Sequence, residues 1–434
     1  MKNMSFFAKK RMYLRELCKD TLLVNALYLM LSTFVVAITG FVFWIVVAHT
    51  HDPATVGLAT TLLSVSALLS LLGLAGFDTT FVRFLHRSKH KQAYINSGFT
   101  VVTVVSGGLA ICFAVLLPIL SPQLLILRSA WPFVGFVVFT VIAALNILTN
   151  AVFLAYRKAH IICAINVIFS VFKVALTLVF TKGGAMMIFV LIGISQFVGL
   201  ALSLVVIHRL GFVFRPRLSH DILQMSKRYS SSVYMASVLN LLPPTLLPLI
   251  IVSQLGPENA AYYYMAFTIA GVLYTVSYAS MQSAFAEGSH DETALKSHIT
   301  KAAKLIGVLL IPAIVFVTIF SGRILQTFGN AYAVKGSFLL RLFALGALPV
   351  AAYSALGAIF KITQNLRGVV IMNGIYAVAI LGLSYFWIPQ FGVVAIGWSW
   401  VLGNVAAVAI GFVFLNLQQH KRIGDAHGKA SSVR

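Results

Sequence analysis

Lys173 lies within NVIFSVFKVALTLVF (166–180), a segment otherwise free of charge. A cation near the centre of a bilayer costs about 2.5–3.5 kcal/mol on insertion scales, so its presence needs a reason. Asn166, Ser170 and Thr177 recur around it at spacings of 4, 3 and 4 residues, which places all four side chains on one face of a helix. An ammonium flanked by an amide and two hydroxyls is anion-binding chemistry, suited to phosphate or carboxylate. A second stripe, Tyr264, Thr268, Gly271, Thr275, Tyr278 and Gln282, runs at the same helical spacing. Its hydroxyls and amide suit sugar hydroxyls, and its rings suit sugar C–H surfaces. Arg341, in FLLRLFALG, offers another cation near a segment end, while Asp78 and Arg83, in GLAGFDTTFVRFLHR, mark a mouth at the inner end of an early segment. Stripes of Ser, Thr and Gly also glue membrane helices together, and a lysine about 10 Å from a helix end can snorkel towards headgroups. The aligned neighbours favour a wet cavity for Lys173, because a lipid-facing snorkeller needs no Asn166 or Ser170 beneath it.

The elements that must carry these stripes are membrane helices. Of the 434 residues, 60% are hydrophobic and 10% charged, with mean hydropathy +0.95, whereas a soluble surface needs about 25% charged residues. Apolar runs long enough to cross a bilayer recur along the chain, and twelve spans are expected at 21–48, 56–77, 95–117, 131–155, 160–180, 185–208, 233–253, 260–282, 303–321, 338–360, 367–388 and 392–416. The basic N-terminal stretch reads as an interfacial helix rather than a signal peptide. The fold class is therefore an all-α integral membrane protein of about 12 transmembrane helices.

The net charge of +22 looks at first like a nucleic-acid signal, but its distribution excludes that. With the N-terminus inside, 26 of the 32 Lys and Arg fall on the cytoplasmic side and only Arg128, Lys182, Arg323 and Lys335 on the other. This asymmetry satisfies the positive-inside rule, puts both termini in the cytoplasm and makes anionic membrane lipids the expected partners of the charge. The basic connector HRLGFVFRPRLSHDILQMSKRYSSS divides the chain: residues 1–208 form an N-terminal six-helix bundle, 209–232 a cytoplasmic linker, 233–416 a C-terminal six-helix bundle and 417–434 a tail. The halves echo each other weakly. At an offset of 204 residues VVAHTHDPATVG (46–57) lines up with IVSQLGPENAAY (251–262) one position off, so that Pro53 meets Pro257, as expected for pseudo-symmetric repeats of one orientation. NLLPPTLLP (240–248) should break its helix, since proline lacks the N–H donor.

These features together resemble the polysaccharide transporter family, flippases of lipid-linked oligosaccharides within the multidrug/oligosaccharidyl-lipid/polysaccharide exporter superfamily. The residues that carry the resemblance are the six-plus-six spans, GFVFWIVVAHTHDPATVGLATTLLSVSALLSLLGLAGFDTTFVRFL early in the chain and FGNAYAVKGSFLLRLFALGALPVAAYSALGAIF late in it. The resemblance implies a V-shaped fold of two bundles, alternating access, and a polyprenyl-diphosphate-linked oligosaccharide moved from the cytoplasmic to the outer leaflet of the cell membrane. It also implies cationic cavity residues, a role that Lys173 matches best, with Arg83 and Arg341 behind it; other polysaccharide-assembly proteins would be partners.

Three other readings stay open. A drug/ion antiporter of the same superfamily would use an acid in its cavity, and no Asp or Glu lies deep in an expected span. A membrane-embedded polysaccharide-assembly enzyme needs catalytic groups, yet the His/Asp clusters HTHDP (49–53) and SHDE (289–292) fall in short turns on opposite sides of the membrane. A scaffold within an assembly complex gives no reason for a buried lysine. No catalytic residues and no cofactor are expected. Cys18, Cys112 and Cys163 form no spaced pair, so no metal site and no disulfide framework is expected.

Overall fold

In a computed structural model, which describes residues 21–120, 122–288 and 295–431, the described chain consists of helices joined by short connectors, with no strand among the described residues. The order is α1 (Thr21–Thr50), α2 (Pro53–Gly73), α3 (Phe77–Thr80) continuing into a π-turn at Phe81–Leu85, α4 (Lys91–Leu120), a 3₁₀ turn at Pro122–Arg128, α5 (Ala130–Ala155), α6 (Ala159–Val179) and α7 (Ala185–Arg209). There follow α8 (His220–Leu255), α9 (Pro257–Gly288), α10 (Leu295–Gln326), α11 (Asn330–Leu345), α12 (Ala347–Ile362), α13 (Leu366–Phe391) and α14 (Val394–Ser431). Eleven segments among the described residues are long and apolar enough to cross a membrane, Asn330–Ile362 counting as one despite its interruption at Gly346. With α9, whose polar stripe lowers its hydropathy, they make the twelve expected spans of a multi-pass membrane protein. The basic N-terminal stretch expected to lie at the interface falls outside the described residues.

The expected break at 240–248 does not occur. α8 runs through Pro243, Pro244 and Pro248 as one 36-residue helix. Proline's fixed φ is itself helical, so the cost is a missing donor rather than a forced bend. The three prolines leave the carbonyls four residues earlier, on Leu239, Asn240 and Pro244, without their usual partner in the helix.

Two compact units result. One comprises Met1–His51, Leu69–Leu120 and Leu124–Ser231, the other Asp52–Leu68, Ser121–Gln123 and Ser232–Arg434. In the first, the chain leaves α2 through two left-handed residues, Ala75 (φ 46) and Gly76 (φ 79). Phe77, Phe81 and Leu85 then recur every fourth residue and drive into a core with Leu74, Ile95, Phe99, Leu148 and Phe153. Gly98 of α4 lets the Phe81 ring lie where a Cβ would otherwise sit. In the second, the core is aromatic: Phe267 of α9 meets Tyr263, Phe343 and Trp400 with ring centroids 5.5, 5.5 and 4.8 Å apart.

The sequence echo has a structural counterpart. Pro53 and Pro257 are the first residues of α2 and α9, the helix position that tolerates proline best. Within the second unit these two helix starts touch: a Cβ on Gly57 would collide with the Pro257 carbonyl oxygen. Asp52 caps α2 by accepting hydrogen bonds from the Thr55 amide (3.0 Å) and hydroxyl (2.7 Å). The Thr55 hydroxyl bond, then the amide bond, hold its carboxyl below the usual carboxylate range.

Candidate functional site

In the first unit, α6 turns the face bearing Asn166, Ser170, Lys173 and Thr177 inward. Ser170, Lys173 and Thr177 are buried, whereas Val171, Leu178 and Val179 on the other side are exposed. The partner of this face is α1. Asn25 Oδ1 accepts from the Ala159 amide at 3.1 Å, Asn166 Nδ2 donates to Ser32 Oγ at 2.8 Å, and Lys173 Nζ stands 5.0 Å from the centre of the Phe43 ring. Residue numbers rise together along the two helices, so they pack in parallel, as two odd-numbered spans must. The seam accounts for the polar face of α1 that includes Asn25 and Ser32. Much of the stripe is thus helix glue; the same holds for Asn146 of α5, which donates to the Gln196 carbonyl of α7 at 3.0 Å.

Lys173 is different. Its ammonium lies between two ring faces, Phe43 and Phe169 at 5.4 Å, and among the described residues no carboxylate is paired with it. One turn away, the fully buried Ser170 hydroxyl has no hydrogen-bond partner, while Thr177 spends its proton on the Lys173 carbonyl at 2.9 Å. Cation–π contact offsets part of a desolvated ammonium's cost, about 2 kcal/mol per good ring, but it satisfies none of the three N–H donors. Among the described residues no protein acceptor takes the Ser170 hydroxyl or the Lys173 ammonium.

In the second unit, α9 divides cleanly. Tyr263, Ala266, Ala270, Tyr274, Ser277 and Met281 are buried, while Tyr264, Thr268 and Gly271 are half-buried and Thr275 and Tyr278 exposed. A Cβ added at Gly271 would meet no atom within 4 Å, so the stripe opens onto space rather than onto another helix. Thr268 and Thr275 donate to their own helix, to the Tyr264 and Val272 carbonyls at 2.7 Å each, leaving their oxygens as acceptors. The side chain of Gln282, expected to end the stripe, lies outside the described residues.

Behind Tyr278 stands a network that sequence reasoning missed. Asn240 Nδ2 of α8 donates to the Tyr353 hydroxyl of α12 at 3.0 Å, that hydroxyl donates to Asn373 Oδ1 of α13, and Asn373 Nδ2 donates to the Ala236 carbonyl at 2.7 Å. Tyr376 packs on Tyr353 at 5.2 Å and on Trp400 at 5.8 Å, and Tyr278 lies within electrostatic range of both tyrosines. The chain of bonds ties the proline-rich part of α8 to α12 and α13. No spacing in the sequence signals it, because each of the three helices contributes one isolated polar residue.

Arg341 is exposed on α11 and donates from Nε to the buried Ser321 hydroxyl of α10 at 2.9 Å. Among the described residues no hydrogen bond joins it to the α9 stripe. Asp78 and Arg83 sit at the short helix and π-turn after α2. Burial pushes the Asp78 carboxyl up, against hydrogen bonds from the backbone amides of Thr79 and Asp78. Arg83 is exposed, with its guanidinium 5.6 Å from the Phe84 ring centre. Among the described residues no group of His, Cys, Asp and Glu could hold a metal ion.

This arrangement matches a known family. Residues 46–335 fit the model of a family described as polysaccharide biosynthesis protein. The chain belongs to that family. Comparison with curated proteins finds no match. Among solved structures, the fold of this chain is similar to the lipid II flippase MurJ in an inward closed conformation, at 14% identity over 90% of this chain and 87% of that one, TM-score 0.74. It is also similar to an inward-facing multidrug resistance MATE transporter of the MOP superfamily (15% identity, 91% and 94% coverage, TM-score 0.63). A third is a MOP superfamily transporter from Pyrococcus furiosus whose description stresses a binding pocket of reversed polarity (15%, 93% and 96%, TM-score 0.60). These likenesses establish the fold: a MOP-type, all-helical membrane protein.

Proposed function

We propose that this protein is a flippase that moves a polyprenyl-diphosphate-linked oligosaccharide from the cytoplasmic to the outer leaflet of the cell membrane by alternating access, for cell-surface polysaccharide biosynthesis. In this reading the halves are 1–208 and 233–416, joined by the cytoplasmic linker 209–232 and followed by the tail 417–434, with both termini in the cytoplasm. The observation that carries it is Lys173: a buried ammonium with no carboxylate, beside an unpartnered Ser170 hydroxyl, in a chain of the polysaccharide biosynthesis family. A diphosphate supplies the acceptors both groups lack. At about 4 Å and an effective dielectric of about 20, one such charge pair is worth roughly 4 kcal/mol. The open stripe Tyr264–Thr268–Thr275–Tyr278 supplies ring faces and hydroxyl acceptors for the glycan. No catalytic role is assigned to any residue, and the substrate itself is the main partner, with assembly proteins beside it.

A drug/ion antiporter is the second reading, favoured by the MATE-like fold alone. Such a transporter would hold its coupling ion at an acid, and the ten acids of this chain all sit outside or at the ends of the spans. Removing the gene should leave lipid-linked glycan on the inner leaflet of the cell membrane. Lys173→Ala should express normally yet fail to clear it, and Lys173→Arg should clear part. Full clearance by the alanine variant would take Lys173 out of the mechanism.

A further inference from the structure

The connector between α7 and α8 is not slack. Val213 exchanges two hydrogen bonds with Gln92 of α4: its amide donates to Oε1 at 3.2 Å and its carbonyl accepts from Nε2. The Arg215 amide donates to Asn96 Oδ1 at 3.2 Å, and the Ser219 amide donates to Ser97 Oγ at 3.0 Å. Gln92 and Asn96 are one helical turn apart, about 6 Å, and residues 213 and 215 span that turn, so the chain is extended there at about 3 Å per residue. Asn96 and Ser97 are neighbours, however, and three residues lie between the amides they hold. Residues 215–218 must therefore leave the helix surface and return. Phe212 and Phe214 clamp the base, their rings 6.0 Å from Tyr156 and 4.8 Å from Phe99.

What projects from this pinned loop is Arg215, Pro216, Arg217 and Leu218, all exposed, Leu218 at 63%. Among the described residues neither arginine is paired with a carboxylate. Pro216 stiffens the loop at a fixed φ and holds the residue before it extended. The backbone order that a flexible basic loop would lose on binding is thus already in place. Guanidinium forks match phosphate geometry, and a projecting leucine beside them matches the acyl boundary just below a headgroup.

We propose that the pinned loop Arg215–Leu218 is a lipid-phosphate site: two arginine forks take the phosphate of an anionic membrane lipid while Leu218 enters the acyl boundary. The proposal does not rest on the transport reading. Its test is native mass spectrometry of the full-length purified protein titrated with phosphatidylglycerol and, separately, with undecaprenyl diphosphate. Arg215→Gln with Arg217→Gln, both on exposed side chains, should weaken phosphatidylglycerol binding by about tenfold to thirtyfold. Removing two exposed arginines elsewhere on the same unit, Arg87→Gln with Arg157→Gln, takes away the same charge without the pinned forks and should weaken binding clearly less than the loop pair does. Equal weakening with both lipids marks a general headgroup site; a larger loss with undecaprenyl diphosphate marks capture of the carrier lipid. Either result supports the loop as a phosphate site. If the loop variant binds like the unmodified protein, or if the control pair loses as much, the loop has no special role and the proposal fails. Failure of transport with intact phosphatidylglycerol binding would overturn the flippase reading alone.

Discussion

Lys173→Met separates a functional lysine from a structural one. The charge costs about 2.5–3.5 kcal/mol at membrane depth. The rings of Phe43 and Phe169, at 5.0 and 5.4 Å, return up to about 2 kcal/mol each. Methionine keeps most of the side-chain length and loses both terms, which nearly cancel. The variant should therefore match the unmodified protein in stability to within about 1 kcal/mol, a shift of no more than about 2–4 °C in the thermal midpoint. Transport behaves otherwise. A charge pair with phosphate of roughly 4 kcal/mol, half of it lost to screening in a hydrated site, leaves about 2 kcal/mol, or roughly thirtyfold in rate. The assay is paired: thermal unfolding in detergent, and initial rates of lipid-linked glycan translocation in vesicles. An unfolding midpoint lower by 10 °C would make Lys173 a structural residue. Unchanged stability with unchanged transport would remove the cation from the reaction and refute the reasoning.

Other consequences follow from the same geometry. Gly57→Ala should destabilise the second unit by about 3 kcal/mol or prevent its folding, since the added Cβ meets the Pro257 carbonyl, while Gly307→Ala, with open space around it, should be tolerated; limited proteolysis distinguishes them. Cysteines at Thr268 and Thr275 should react with aqueous thiol reagents faster than cysteines at Ile269 and Val276, and equal rates would mean that no wet space lies along α9. Asp52 and Asp78 should respond oppositely to pH. The lowered pKa of Asp52 supports folding above the ordinary carboxyl value of 3.8, and that support is lost as pH falls through the lowered value; with the group largely exposed, Asp52→Ala should cost about 0.5–1 kcal/mol at neutral pH. The raised pKa of Asp78 works against folding once the pH exceeds it, so Asp78→Asn should stabilise at neutral pH and lose that advantage in acid, as read by unfolding midpoints across pH.

How much of this was legible in the sequence depends on the range of the signal. Apolar length marks a span without reference to any other segment, so the twelve spans could be read directly, although the helices of the second and eighth begin three residues earlier than expected, at Pro53 and Pro257. The 3.6-residue period showed which face of α6 and α9 is polar. It could not show that the α6 face meets α1, because the bond between Asn166 and Ser32 joins residues 134 positions apart. The network of Asn240, Tyr353 and Asn373 was invisible for the same reason: each helix contributes one polar residue, and one residue has no period. The proline cluster misled in the other direction. A missing N–H is written in the sequence, but whether a helix ends at it depends on packing around the released carbonyls, and α8 continues through all three.

The most direct test places the purified protein in unilamellar vesicles carrying a fluorescent polyprenyl-diphosphate-linked oligosaccharide and follows its exposure to a membrane-impermeant quencher. Vesicles with the protein should lose the protected inner-leaflet fraction over time, and vesicles with Lys173→Met should retain it for roughly thirtyfold longer. A protected fraction that decays no faster with the protein than without it would contradict the flippase reading outright.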